Sequence, residues 1–293
     1  MEIEKTKKAI ITSASNKYFP SLINFIGSIK ENYPNHPDIY VYDLGLNFLF
    51  KKEIEKIDGV KLLKIPKFVK HWRSCYTWKT YILNTPISDL NFYIDSGCQI
   101  LKPLDEIFEK IDSQDYLFIS QGKEVLMKDI TPIEYIKLLD IDTDILDKEV
   151  IAAGIFGFKN NSNIKNITSV LYDSGVCGLS LGFSKNEQWK NKGVNKNDFI
   201  RNCKMFRHDT TLLSLFIYKN KSEYIIEDID KFSGDNNIKE GQILWNMRMN
   251  YSSLDYVYNR YGNNLIIHFI NRSYVLIFMI LKKINKCIKS FTK

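Results

Sequence analysis

The N-terminal part of the chain alternates between short apolar runs and longer segments with helical spacing. Apolar, β-rich runs lie at residues 8–13, 38–43, 60–65 and 91–94, and helical spacing lies between them at 18–33, 48–57 and 74–83. Strands that alternate with helices are typical of βαβ units. The sequence therefore predicts an α/β fold with a Rossmann-like, mainly parallel sheet flanked by helices.

The second half of the chain is less regular. Further strands are predicted at 115–120, 154–158, 224–229 and 265–269, further helices at 132–139, 161–172 and 210–218, and a polar loop at 178–198. Neither an internal repeat nor a low-complexity linker divides the chain. We therefore expect one domain over residues 1–270 and a short tail over 271–293.

Composition places the chain among globular proteins of a reducing compartment. Hydrophobic residues make up 44% and charged residues 26% of its 293 residues, which is ordinary for a folded domain. Its five cysteines are scattered and form no Cys-x-x-Cys pair, which argues against a disulfide framework or a zinc site. The apolar run after the charged N-terminus is too short for a signal peptide, so a cytoplasmic location is expected.

The net charge of +7 is concentrated in the tail. Residues 271–293 contain no acid and six basic residues: Arg272, Lys282, Lys283, Lys286, Lys289 and Lys293. The remaining residues are close to neutral, so the composition of the body does not indicate nucleic-acid binding.

The stretch from 92 to 108 carries the most information about function. An apolar run ends on Asp95, and Lys102-Pro103 then begins a predicted helix, with Pro103 in its first turn and Asp105 and Glu106 suited to the positive end of the helix dipole. An acid at the carboxyl end of a buried strand points into the crevice where α/β sheets bind ligands. Asp95 is therefore the strongest candidate for a catalytic residue.

This stretch resembles the metal-site segment of GT-A fold glycosyltransferases, and it is most similar to the glycogenin and lipopolysaccharide galactosyltransferase family. That resemblance implies a GT-A type sheet, a UDP-sugar donor, a retaining transfer and a divalent metal, Mn2+ or Mg2+, with Asp95 as one ligand. The family's second acid is Gly97 here. Three alternatives remain: one carboxylate and a histidine hold the metal, cations replace the metal, or the protein is inactive.

The resemblance also implies a nucleotide site at the turn after the first strand. The family holds uridine with a small-residue turn that contains an Asx residue and a tyrosine. The matching positions here are Thr12, Ser13, Ala14, Asn16 and Tyr18. The alternative is an ordinary strand-to-helix connection with Asn16 as the helix cap.

Later motifs add to the set of site residues that the resemblance implies. Lys79, with Trp72, Arg73 and Trp78 nearby, matches a basic residue that faces the diphosphate, although a solvated helix face is the alternative. Ala153 and Gly154 match a strand whose small residues admit the donor sugar, and Ala152 replaces the family's asparagine. A plain core strand is the alternative.

Two positions near the end of the resemblance complete the predicted chemistry. Asp209, at a predicted helix start, matches an acid that reaches the sugar or the acceptor, and it could equally be a helix cap. His268 follows an apolar run and matches a metal-ligating histidine, with a structural histidine as the alternative. Arg272 stands where the family has a phosphate-binding lysine and could take over that contact.

The tail has the pattern of a basic amphipathic helix that lies in the plane of a membrane. On a helix, Ile277, Leu281, Ile284 and Ile288 share one face and the lysines another. Its apolar run from 274 to 281 is too short to span a bilayer. We expect the tail to bind an anionic membrane surface at the inner face of the cell membrane, and a helix packed on the domain is the alternative.

The sequence therefore predicts a glycosyltransferase that moves a hexose-type sugar from a UDP-sugar to a bacterial surface glycan, either lipopolysaccharide or capsule. Two other functions remain open. A nucleotidyltransferase on a similar sheet would normally carry a glycine-rich turn after the first strand, and residues 12–16 contain no glycine. A non-catalytic sugar-binding or membrane-scaffold protein is consistent with Gly97.

Overall fold

The computed structural model describes residues 7–182, 203–220, 226–227, 233–234 and 241–246, together with Ser273, Ile277 and Ile280. The predicted strand at 265–269, with His268, lies outside the described residues, as do Arg272 and most of the predicted loop at 178–198.

Ten strands lie within the described residues. They are β1 (Lys8–Ala14), β2 (Ile39–Asp43), β3 (Val60–Lys64), β4 (Leu90–Ile94), β5 (Cys98–Ile100), β6 (Tyr116–Ser120), β7 (Ile151–Lys159), β8 (Ile226–Glu227), β9 (Ser233–Gly234) and β10 (Leu244–Asn246). The four strands predicted in the N-terminal part of the chain correspond to β1 through β4. Strands β1 and β4 are almost wholly buried by the sheet's helices, whereas the edge strand β3 buries only Val60.

Eight α-helices accompany these strands in the described part of the chain. They are α1 (Phe19–Asn32), α2 (Phe48–Glu55), α3 (Thr77–Asn84), α4 (Asp105–Gln114), α5 (Met127–Ile130), α6 (Ile133–Leu139), α7 (Ser162–Val176) and α8 (Asp209–Asn220). Short 3-10 turns occur at Asn16–Tyr18, Thr143–Asp147 and Leu179–Leu181.

The main sheet has seven strands in the order β3-β2-β1-β4-β7-β6-β8. All its pairings are parallel except those of β7, which runs antiparallel to both β4 and β6. The prediction of an α/β fold with a mainly parallel sheet flanked by helices is confirmed. The reversed strand was not predicted, because the apolar pattern of a buried strand is the same in either direction.

A second sheet of three strands, in the order β5-β10-β9, follows the site strand. Its first strand, β5, is the short apolar segment after Asp95, and it pairs antiparallel with β10. The peptide around Asp95 is therefore held between two sheets, with the main sheet before it and the small sheet after it.

Helices cover both faces of the main sheet, and side chains of β4 alternate between the two cores. Phe92 and Ile94 pack in the core that contains α1 and α4, whereas Tyr93 packs in the core that contains α3, α7 and α8. Because side chains two residues apart share a face, Tyr93 and Asp95 belong to the same side of the sheet. The side of the sheet that carries α3 and α8 is therefore the side of the candidate site.

Two predicted helix starts are corrected. The helix predicted from residue 74 begins at Thr77, because Cys75 and Tyr76 have left-handed backbone angles, with φ of 51° and 60°. Such angles are incompatible with a right-handed helix. Helix α4 begins at Asp105, so Pro103 precedes the helix and does not lie in its first turn.

Three tail residues, Ser273, Ile277 and Ile280, are helical, and the two isoleucines have exposed fractions of 56% and 49%. Among the helices within the described residues, none combines the length and apolar character needed to cross a bilayer.

Candidate active site

A cavity of about 580 Å³ opens at the carboxyl ends of β1 and β4. Side chains from distant parts of the sequence line it: Ser13, Tyr18, Lys79, Asp95, Gly154 and Asp209. Ligand sites of α/β sheets lie at this edge because the connecting loops and helix N-termini converge there. The cavity is therefore the candidate active site.

Lys79 is the centre of the site. Its side chain is only 6% exposed, and its Nζ lies 3.1 Å from Asp95 Oδ1 and 2.9 Å from Asp209 Oδ2. The same Nζ donates a hydrogen bond of 3.0 Å to the carbonyl oxygen of Ala153. One buried ammonium thus joins an acid on β4, an acid on α8 and the backbone of β7.

Two opposing effects act on the charge of Lys79. Burial by itself lowers the pKa of its ammonium, but Asp209 and Asp95 outweigh burial and raise that pKa well above its ordinary value. Lys79 therefore stays protonated throughout the physiological range. Its charge is balanced by Asp209, whose side chain is 11% exposed, and by Asp95, which is 46% exposed.

Tyr93 fixes the position of the Asp95 carboxylate through a hydrogen bond. Its hydroxyl donates a hydrogen bond of 2.7 Å to Asp95 Oδ1 and lies 3.0 Å from Ser13 Oγ. Burial and the neighbouring Asp95 raise the pKa of the Tyr93 hydroxyl well above its ordinary value, so the hydroxyl remains a donor. This positioning contact was missed at the sequence level, although the shared face of residues 93 and 95 would have indicated it.

The strand β7 contributes a small-residue wall. Ala152 and Gly154 line the cavity, and the buried Ala153 contributes only its carbonyl oxygen, to Lys79. A Cβ atom added to Gly154 would lie 2.7 Å from Asp95 Oδ2. Only glycine at this position leaves the carboxylate where it is.

Replacing Gly154 by alanine should reduce the activity of the site by about a hundredfold, because the new methyl group displaces the Asp95 carboxylate by about 1 Å. Gly97→Ala is the matched control within the same cavity lining, since a Cβ there meets nothing within 4 Å. Turnover of UDP-sugars by both variants tests this expectation. Equal losses in the two variants would show that Gly154 does not act through Asp95.

The turn after β1 is only partly in the cavity. Ser13 and Tyr18 line the cavity wall, whereas Thr12 and Ala14 are fully buried and the wall does not include them. Asn16 does not reach this wall either, because its Oδ1 accepts a hydrogen bond of 2.6 Å from the backbone N–H of Asn47. The structure thus brings two of the five predicted nucleotide-site residues together with Lys79 and Asp95.

Among the predicted aromatic and basic residues before β4, too, only some line the cavity. Trp78 lines the cavity beside Lys79, whose Nζ lies 5.5 Å from the centroid of the indole ring. Arg73, however, donates a hydrogen bond to the carbonyl oxygen of Leu44 and packs on Gly45. Its guanidinium therefore supports a loop and does not face the Lys79 cluster.

The described residues meet a metal's requirements only in part. The Asp95 carboxylate is exposed to the cavity and is a hard oxygen ligand, which suits Mg2+ or Mn2+. Within the described ranges, no three His, Cys, Asp or Glu side chains group closely enough to hold an ion. Asp209, the second carboxylate of the cavity, is already paired with Lys79.

The cavity has a second wall that the sequence did not predict. Tyr76, Phe206, Arg207 and Gln121 line it together with His208. Tyr76 is 47% exposed, and its ring centroid lies 6.4 Å from that of His208. Position 207 is close to the predicted motif at Asp209, and that closeness was the one signal that could have drawn attention to it.

No family model matches the chain, and no curated protein matches it. Among solved structures, the chain is similar to the WbbM bifunctional glycosyltransferase, with 16% identity over 59% of this chain and a TM-score of 0.43. It is also similar to the galactosyltransferase LgtC in complex with donor and acceptor sugar analogues, with 12% identity over 78% of this chain and 76% of LgtC, at a TM-score of 0.47. A third similar structure is the glycosyltransferase GlyE of Streptococcus pneumoniae TIGR4, with 12% identity over 76% of this chain and 45% of that structure, at a TM-score of 0.43.

This chain spans 35% of the length of the WbbM structure. At identities of 16% and 12%, these likenesses concern the fold and do not by themselves assign an activity. WbbM, LgtC and GlyE are themselves glycosyltransferases.

Proposed function

We propose that this chain is a glycosyltransferase that moves a hexose-type sugar from a UDP-sugar to a bacterial surface glycan. The observation that carries the proposal is the buried Lys79 ammonium between Asp95 and Asp209 at the edge of the sheet where α/β proteins bind ligands. Lys79 fixes both carboxylates, so that Asp95 could hold a divalent ion beside a departing diphosphate while Asp209 contacts the sugar or the acceptor.

We place the donor along the carboxyl edge of the sheet, from β1 toward β7. Tyr18 and Ser13, at the end of β1, are the proposed contacts of the uridine, and Lys79 faces the diphosphate. Gly154 and Ala152 leave room for the sugar next to Asp95. The small-residue wall and the cation are both needed for this arrangement, and both are present in the same cavity.

The reaction breaks the bond between the anomeric carbon and the β-phosphate oxygen of UDP. A new bond forms from an acceptor hydroxyl oxygen to that carbon, UDP keeps the electron pair of the broken bond, and the departing phosphate oxygen takes up the hydroxyl proton. Lys79 holds the carboxylates of Asp95 and Asp209 in position for this step. Asp209, held at the start of α8 by Lys79, is the proposed contact to the sugar or the acceptor.

The proposal includes a divalent ion, Mn2+ or Mg2+. Asp95 and His268 are its proposed ligands in the chain, and the donor's phosphate oxygens would supply others. When bound, the ion would neutralise charge on the leaving diphosphate. Arg272 is a proposed further contact to the phosphates.

The acceptor is proposed to be a glycan or a lipid-linked glycan at the inner face of the cell membrane, which the tail would reach. The exposed Ile277 and Ile280 in the tail, together with its six basic residues, support contact with an anionic lipid surface. The domain over residues 1–270 then carries the chemistry, and the tail over 271–293 holds it at the membrane.

Deleting residues 273–293 should release the protein from anionic vesicles without unfolding the domain. The deletion removes five lysines and the apolar face of the helix. In the full-length protein, the tail should detach from the vesicles when added salt shortens the Debye length below about 10 Å. Vesicle cosedimentation at several salt concentrations measures both effects. A full-length variant with the five lysines replaced by glutamine separates charge from apolar contact.

The opposite pair of results would overturn the proposal for the tail. If the full-length chain does not bind vesicles and the deletion lowers the melting temperature by several degrees, the tail packs on the domain through its apolar face.

Release of UDP from a panel of UDP-sugars, with added Mn2+ and with EDTA, tests the proposed function. Turnover of at least one donor supports it. Binding of UDP without turnover would favour a sugar-binding protein of this fold. Pyrophosphate release from UTP and a sugar 1-phosphate would favour a nucleotidyltransferase.

A further inference from the structure

Arg207 is a charged side chain in the cavity whose charge is unmatched within the described ranges. Its guanidinium donates a hydrogen bond to the side-chain oxygen of Gln121, which is neutral, and it forms no ion pair with any carboxylate that the structure describes. The nearest acid in sequence, Asp209, is paired with Lys79. A half-buried arginine is always protonated and is stable in such a place when an anion can reach it.

Both partners of this pair are held in place by the backbone. The N–H of Arg207 donates to Thr211 Oγ1 at 3.1 Å, in the first turn of α8, and the N–H of Gln121 donates to the carbonyl oxygen of Val150 at 2.8 Å. The His208 ring next to Arg207 is fixed by a hydrogen bond of 2.7 Å between its Nδ1 and the carbonyl oxygen of Ser180. The guanidinium is therefore presented to the cavity from a rigid frame.

The pair lies away from the proposed donor. Gln121 follows β6, which is three strands from β1 in the sheet, and three strand spacings amount to about 14 Å. Asp95, at the end of β4, lies between them. With the nucleotide at Ser13 and Tyr18, the cavity beyond the sugar faces Arg207.

Aromatic side chains complete this part of the cavity. The Phe206 ring lies 5.2 Å from the His208 ring, and Tyr76 lies on the other side of His208 at 6.4 Å. Aromatic faces pack against the C–H faces of sugar rings, while a guanidinium binds carboxylate or phosphate oxygens in pairs. Together they match a sugar that carries an acidic group.

We propose that Arg207 and Gln121 form an acceptor subsite that binds an anionic group, a carboxylate or a phosphate, on the acceptor sugar. The assignment to the acceptor rests on the proposed function, because it takes the donor to occupy the Ser13 and Tyr18 side. The anionic group binds the remaining N–H donors of the guanidinium, and Gln121 holds the guanidinium toward the cavity. An acidic acceptor is then selected over a neutral one of the same shape.

Titration of the full chain with three methyl glycosides tests the subsite: methyl β-D-glucoside, methyl β-D-glucuronide and methyl β-D-glucoside 6-phosphate. We expect at least one acidic probe to bind about tenfold more tightly than the glucoside. The glucuronide and the phosphate then distinguish a carboxylate from a phosphate as the preferred group. Equal affinities for all three probes would overturn the proposal.

Three variants locate the preference. Arg207→Gln should abolish the preference for the acidic probes. Gln121→Glu should reduce that preference, because the new carboxylate pairs with Arg207, which is intact in this folded variant. Lys204→Gln is the matched control, since Lys204 lies on the same segment, is exposed and pairs with Asp129 at 2.8 Å. A preference that survives in Arg207→Gln or Gln121→Glu, or disappears in the control, contradicts the subsite.

Binding of UDP to the same proteins separates the subsite from the donor site. We expect UDP to bind Arg207→Gln as it binds the wild type. A fall in UDP affinity as large as the lost probe preference would assign Arg207 to the diphosphate instead. If the wild type prefers the acidic probes but neither binds UDP nor releases it from UDP-sugars, the glycosyltransferase proposal fails and the anion subsite stands.

Discussion

Replacing Asp95 by alanine should abolish turnover of UDP-sugars, with a loss of at least about a hundredfold, while the domain stays folded. The carboxylate faces the cavity, accepts hydrogen bonds from Tyr93 and Lys79, and is the proposed protein ligand for the divalent ion. It contributes little to the core, because its side chain is 46% exposed. Steady-state kinetics with the best donor and a thermal melt measure the two effects.

Glu109→Ala is the matched control for this prediction. Glu109 is an exposed acid on α4, outside the cavity, and its removal changes the net charge by the same amount. We expect the control to keep wild-type turnover. Turnover near the wild-type level in Asp95→Ala would remove Asp95 from the site.

Replacing Lys79 by methionine should cost both stability and activity. The substitution leaves Asp209 buried without its cation and the Ala153 carbonyl without its donor. Breaking a buried ion pair by removing one partner costs about 3 kcal/mol of unfolding free energy. Most of this cost comes from the buried pair with Asp209, because the pair with the more exposed Asp95 is screened by solvent. Urea unfolding measures the loss, and UDP-sugar turnover should fall by at least about a hundredfold.

The pH dependence of stability distinguishes an ion pair from mere packing. Because the pKa of Lys79 is raised in the folded protein, its stabilisation is complete below the unfolded value of about 10.4 and is lost as pH rises through the higher folded value. Adding Asp209→Asn to the Lys79→Met variant should restore part of the lost stability at neutral pH. A double variant no more stable than Lys79→Met would show that the pair contributes only packing.

Most strands of the main sheet could be predicted because they are short runs of mainly apolar residues between polar turns. The direction of β7 could not, since burial on both faces gives the same pattern for a parallel and an antiparallel strand. The lost first turn of α3 was also hidden. Cysteine and tyrosine rarely adopt the left-handed backbone conformation that Cys75 and Tyr76 have.

The candidate site divides in a similar way. Asp95 could be recognised from its place after an apolar run and before Lys102-Pro103. Its link to Asp209 through Lys79 depends on where α8 packs, and because Asp209 is far from Lys79 in the sequence, no local pattern encodes their contact. Arg207 was overlooked for the same reason, because its significance lies in the neutral partner that the fold brings to it.

The left-handed backbone at Cys75, Tyr76 and His208 has a consequence for engineering this protein. Each of these non-glycine residues stores about 1 kcal/mol of strain, and Tyr76 and His208 both lie in the cavity wall. Selection for heat resistance alone would favour glycine or asparagine at these positions, since those residues relieve the strain. Each such gain at position 76 or 208 would remove an aromatic ring from the cavity, so that a gain in thermostability would weaken the proposed sugar recognition at the same residues.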